Sequence, residues 1–172
     1  MKTQSTSANS APKRCRTQPF VVVGCLIEKA GKFLFVQEAW GSQRGLWNRP
    51  AGWLDLGEKI PAGALREAEE ETGLELELTG FVGVYTIVKE RNGQPDHGVK
   101  FIFAARPLTE EFKPNPEEIM DLRWMTPDEV AQLGSALRDI DILQEIKDFL
   151  SGRIRPIYEA ETFTNGLSEL QD

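Results

Sequence analysis

The stretch REAEEETG, Arg66 to Gly73, sets four glutamates in five consecutive positions, with Arg66 as its one cation. Wound into a helix, Glu67, Glu70 and Glu71 fall at i, i+3 and i+4 and share a face, with Cβ atoms roughly 5–6 Å apart. Like charges at that spacing weaken an isolated helix. An ordinary solvated face would interleave lysines at i+4, and this one does not. A divalent cation offsets the repulsion instead, because clustered carboxylates are the hard oxygen ligands that Mg2+ or Mn2+ prefers. Mg2+ keeps several waters and takes further ligands from substrate phosphates, so a partial protein cage implies a phosphorylated substrate. Gly52 permits a backbone turn that can present its carbonyl oxygen toward the helix start. Arg66 can hold one carboxylate by a bidentate bond and fix its direction.

Extended in both directions, the stretch reads GWLDLGEKIPAGALREAEEETGL. Gly52, five residues, Glu58, seven residues, then Arg66 to Leu74 resemble the signature of the Nudix (MutT-like) hydrolases at every charged and glycine position. Ala68 departs from it, since the family more often carries a larger aliphatic residue there. Seven fixed residue types at fixed spacing match by chance with a probability on the order of 10⁻⁸, so accident is not a serious rival. The resemblance implies a Nudix fold: an α/β (α+β) domain with a curved mixed β-sheet sandwiched between α-helices. It also implies a divalent-metal-dependent hydrolase in which water attacks a phosphorus of a nucleoside di- or triphosphate or a related organic diphosphate. Glu67, Glu70, Glu71 and the Gly52 carbonyl would form the Mg2+ shell, with Mn2+ as a substitute. Glu58 would contribute from outside or through water, and Arg66 would orient. A further glutamate ahead of a tryptophan-bearing strand often serves the family as base or ligand, and Glu118, before Trp124, is chosen over Glu117 and Asp121.

The likeness continues in GKFLFV, LWNRPAG, KFIFAA and LRWMTPDEV, covering about residues 20–150. LWNRPAG and GRIRPIY are similar to a bacterial phosphatase subgroup typified by NudJ, which acts broadly on nucleoside tri- and diphosphates and on a thiamine-precursor pyrophosphate. Near the signature, Trp40 and Trp53 can stack on a base or simply pack the loop. Arg44 and Arg49 can meet substrate phosphates or remain surface charges. His97, the only histidine, reads as a solvated loop residue, and Arg153 and Arg155 are lesser candidates for closing over an anion. A rival class is a Nudix-like ligand-sensing or interaction module without turnover. Such modules usually lose signature glutamates, and this chain keeps them all. A messenger-RNA decapping role is disfavoured by the acidic charge and the lack of an RNA-binding extension.

These residues need a scaffold, and 172 residues with 40% hydrophobic content suffice for one domain with a full core. The formal charge of −7 argues against general nucleic-acid binding. Between Gly52 and Leu74, six acids against Lys59 and Arg66 supply −4 of that −7, so the acidity is concentrated around the glutamates. No apolar run suits a membrane span or a secretory leader. Two cysteines, Cys15 and Cys25, are too few for a disulfide framework, and a reducing cytoplasm is expected. The partner implied is a small-molecule nucleotide or organic diphosphate; oligomeric state is left open, a homodimer included.

Residues 1–19 read as a disordered polar tail, 20–152 as the hydrolase domain and 153–172 as a C-terminal extension. FVVVGCLIEKAGKFLFVQEA predicts two strands joined at Ala30-Gly31. A loop region with a short strand around Trp47 to Arg49 follows, then a helix with Pro61 in its first turn and Gly73 at its end. LELELTGFVGVYTIVKE and GVKFIFAARPL read as strands joined by the loop RNGQPDH, with LRWM as a last short strand. Helices are predicted over about 127–133 and 137–150.

Overall fold

The computed structural model describes residues 19–91 and 93–157. The expected tail, Cys15 and most of the expected C-terminal extension lie outside them. The apolar hairpin forms as its sequence predicts: β1 (Phe20–Lys29) and β2 (Lys32–Glu38) turn through Ala30 and Gly31, both at positive φ. Helix α1 (Ile60–Thr72) carries proline in its first turn and ends at Gly73 in the left-handed region, where the missing Cβ removes the steric cost. Further elements are β3 (Trp47–Asn48), β4 (Ala51–Trp53), β5 (Leu76–Arg91), β6 (Gln94–Pro107), β7 (Ile119–Met125), α2 (Pro127–Gln132) and α3 (Ile142–Leu150).

The strands form one mixed sheet in the order β3-β2-β1-β6-β5, with β4 paired to β1 and β7 to β2. The β1–β6 pair is parallel, from Phe20↔Gly98 to Ile27↔Ala105, while β5–β6, β1–β4 and β2–β7 are antiparallel. Alternation along the strands divides the core. Val23, Cys25 and Ile27 of β1, Leu34 of β2 and Phe103 of β6 face Ala64 and Ala68 of α1. Leu26, Phe33, Phe35 and Ile102 point the other way, toward Ile142 and Ile146 of α3. The sheet is thus sandwiched between helices, the arrangement expected. The small Ala68, where the family pattern has a larger side chain, is fully buried against the sheet.

Three local expectations are corrected. The RNGQPDH loop is mostly strand: β5 runs to Arg91 and β6 starts at Gln94, so His97 pairs with Val88 inside the ladder. Pro95 is tolerated because β6 acquires its second neighbour, β1, only from Gly98 onward. The segment read as loop after Asn48 contains β4, which fits beside Gly24 because a Cβ there would lie 2.5 Å from that of Ala51. The last helix starts at Ile142 and not at Leu137. Leu137 is extended and bridges Trp47, whose carbonyl accepts the Arg138 N–H at 2.8 Å. No described helix is long and apolar enough to cross a membrane.

Candidate active site

The site lies where α1 meets β4. The Ala51 N–H donates to Glu71 Oε2 at 2.9 Å, so strand and helix are tied through a carboxylate of the glutamate face. Beside it, a Cβ on Gly52 would lie 1.9 Å from Glu67 Oε2, so only glycine lets the strand pass that side chain. Glu70 stands at the outer edge, with its side chain 58% exposed.

Arg66 organises the cluster. Its Nε and Nη2 donate to the two oxygens of Glu58 at 2.8 and 3.0 Å, a bidentate pair. Nη1 donates to Glu67 at 3.0 Å and to Glu70 at 3.1 Å, and Nη2 also reaches the Trp53 carbonyl at 3.2 Å. Hydrogen bonding to Arg66 holds the Glu58 carboxyl below its usual range, and the same contact pushes the guanidinium pKa up. Glu58 is more engaged than expected of a loosely held outer ligand: Oε1 and Oε2 bind Arg66, and Oε2 also accepts the Asp55 N–H.

The helix face carries the opposite shift. Burial raises the Glu67 pKa, with Arg66 opposing that rise. Burial also pushes Glu71 well above its ordinary value, against the Ala51 hydrogen bond, and the charges of Glu38 and Glu67 add to it. Glu67 keeps Arg66 as its one cationic partner, and Glu71 has no cation in hydrogen-bond contact among the described residues. Among the described residues no group of three or more His, Cys, Asp or Glu is gathered into a ready-made metal cage. Arg66 sits between Glu67 and Glu70, and the β4 amide draws Glu71 aside. The fit to a divalent cation is therefore one of donor chemistry, with three hard carboxylates on one helix face and two of them raised in pKa.

The remaining candidates are dispersed. Glu118 is exposed in the turn just before β7; its carboxylate has no partner among the described residues, and its carbonyl accepts the Ala39 N–H at 2.8 Å. Trp40 and Trp53 are 67% and 57% exposed, and Trp53 lies 5.8 Å from the Phe20 ring. Arg44 is exposed and donates to the Ala39 carbonyl. Arg49 is a correction: it is 2% exposed and its guanidinium binds Glu145 at 2.9 and 3.3 Å, so it braces the core instead of meeting substrate. Arg153 faces Asp148 at 3.9 Å, and the Arg155 backbone bridges Phe81.

Sequence reading missed Glu38 and Arg138. Glu38 is buried at the end of β2, accepts from Asn48 Nδ2 at 3.3 Å, and is paired with Arg138 from 100 positions away. An acid closing the apolar run FLFVQE was a visible signal for Glu38. Nothing local marks Arg138.

Residues 18–146 match the NUDIX domain family. Over 145 residues the chain is 31% identical to the phosphatase NudJ of Escherichia coli, covering 81% of this chain and 89% of that protein. A Nudix hydrolase from Nitrosomonas europaea superposes with a TM-score of 0.74 at 28% identity, over 81% of this chain and 94% of the other. A MutT Nudix hydrolase from Burkholderia pseudomallei gives 0.60 at 26% identity, over 72% and 99%. The chain belongs to the Nudix family. It is a Nudix pyrophosphohydrolase, which the family match and these relatives support.

Proposed function

We propose that the enzyme uses Mg2+, with Mn2+ as a substitute, to hydrolyse phosphoanhydride bonds of nucleoside di- and triphosphates or related organic diphosphates. The observation that carries this reading is Glu67, Glu70 and Glu71 on one face of α1 packed against β4, where Gly52 leaves room for the Glu67 carboxylate and the Ala51 amide binds Glu71. Glu67, Glu70, Glu71 and the Gly52 carbonyl would hold the cation, and Glu58 would act by fixing Arg66. When bound, the cation neutralises charge on the bridging and leaving oxygens and orients the phosphates.

The chain's own groups supply the rest. Water forms a bond to one phosphorus as the anhydride P–O bond breaks, and its proton passes to Glu118, whose carboxylate is exposed and unpaired among the described residues. Trp40 and Trp53 offer exposed ring faces for a base, and Arg44 an exposed cation for a phosphate. The likeness to NudJ, which is named a phosphatase, supports a phosphorylated small molecule as substrate. The buried free thiol of Cys25, pushed up to about 12 by burial, suits a reducing cytoplasm.

The test is a panel of nucleoside di- and triphosphates and organic diphosphates, including a thiamine-precursor pyrophosphate. Each is assayed with Mg2+, with Mn2+ and with chelator, with released phosphate and pyrophosphate separated. Turnover that requires the cation is expected. Undiminished turnover in chelator would remove the metal from the mechanism.

A further inference from the structure

Arg66 and Arg49 are both occupied by carboxylates, which leaves open which cation receives the substrate's phosphates. Arg138 is differently placed. One nitrogen, Nη1, pairs with Glu38, while the remaining guanidinium donors have no side-chain partner among the described residues. Its side chain is 31% exposed, so those donors can reach a ligand. Its backbone is pinned, with the N–H donating to the Trp47 carbonyl at 2.8 Å. Trp47 begins the segment that passes through Asn48, itself hydrogen-bonded to Glu38, to Ala51, whose amide holds Glu71. Glu38 also lies beside the Glu118 segment: it pairs with Ile119 in the β2–β7 ladder, and the next amide binds the Glu118 carbonyl.

We propose that Arg138 is a phosphate-contacting residue of the substrate site, held in place by the Glu38 carboxylate. A planar guanidinium fixed at one nitrogen presents its other N–H donors as a fork, which matches phosphate oxygens better than a lysine ammonium would. A purely structural ion pair is the competing account, because Glu38 is buried and needs a cation; that account uses Nη1 alone and leaves the other guanidinium donors without a role.

This inference rests on the hydrolase reading, and the experiment separates the two. Arg138→Gln and Arg138→Lys are compared with wild type on a nucleoside triphosphate with Mg2+, together with inhibition by inorganic pyrophosphate. Loss of a charged hydrogen bond to phosphate predicts a KM raised about ten- to hundredfold in Arg138→Gln. Pyrophosphate inhibition should weaken in parallel, and the lysine variant should recover part of both. A KM within about twofold of wild type in a folded variant overturns the phosphate contact. Where the variants do not fold, the wild-type protein is treated with an arginine-specific dicarbonyl and the modified positions are mapped by mass spectrometry. Mg2+ with pyrophosphate should protect Arg138; equal modification with and without it overturns the proposal. Protection in a protein without turnover would overturn the hydrolase reading and leave the contact standing, and turnover without protection would do the reverse.

Discussion

Glu69 and Glu71 sit two positions apart on α1 and do different work. Glu71 faces β4, whereas Glu69 Oε1 accepts the Leu76 N–H at 3.0 Å and secures the start of β5. Glu71→Gln removes charge from the proposed cation site and should lower kcat by about 10²–10⁴ with the fold intact. Glu69→Gln keeps a hydrogen-bond acceptor and should stay within about threefold of wild type. Steady-state kinetics with circular dichroism on both variants checks this, and equal losses would mean that the wrong face was chosen. The raised pKa of Glu71 also fixes the sign of a pH effect. A carboxyl with a higher pKa folded than unfolded binds more protons in the folded state, so stability falls as pH rises. In chelator, thermal stability should be greatest below the ordinary value of 4.5 as far as this group is concerned, and decline above it toward the folded pKa. A bound divalent cation favours the ionised form, so Mg2+ should flatten that decline. Melting curves across pH with and without Mg2+ test it, and identical slopes would count against cation binding at Glu71.

The contact of α1 with β4 converts the face pattern into a site. Gly52 is where the two approach, since a Cβ there would overlap the Glu67 carboxylate. Gly52→Ala must therefore move Glu67 or the strand. The expected result is a loss of activity of at least about tenfold, with a stability cost of about 1–3 kcal/mol typical of overpacking. Kinetics and urea unfolding measure both, and normal activity would show that Glu67 can leave its position without consequence. The glycine-rich approach was legible in sequence as a signature position. That the same strand also ties down Glu71 was not, because the bond runs from a backbone amide that no side-chain pattern reveals.

A buried ion network joins parts of the chain that lie far apart in sequence. Arg49 pairs with Glu145, 96 positions away, and Lys100 lies 2.6 Å from Asp141 and 3.7 Å from Glu145. Glu145 is fully buried and Lys100 is 1% exposed. Glu145→Ala would strand the buried Arg49, while Lys100 keeps Asp139 and Asp141, and we expect a loss of roughly 3–5 kcal/mol in urea unfolding. A loss under about 1 kcal/mol would mean that water reaches these charges. Strand β4, which carries Ala51 and Gly52, follows Arg49 by two residues, so some loss of activity should accompany the loss of stability.

Read alone, the sequence determined whatever depends on short periods and fixed spacing. The alternation of β1 and β2, the span of α1 from its proline to Gly73, and the glutamates grouped on one helix face all follow from residues within a few positions of one another. Local chemistry decides such features, and the family signature is itself one of them. Tertiary structure decided which charged groups are free to act. Arg49, flanking the loop ahead of the signature, looked available and is consumed by Glu145, while Arg138, unremarkable in its own segment, is brought to Glu38. A charged side chain takes its role from the partner it meets on folding, because burial makes an unpaired charge costly. Those partners lie about a hundred residues away, beyond the reach of any local pattern.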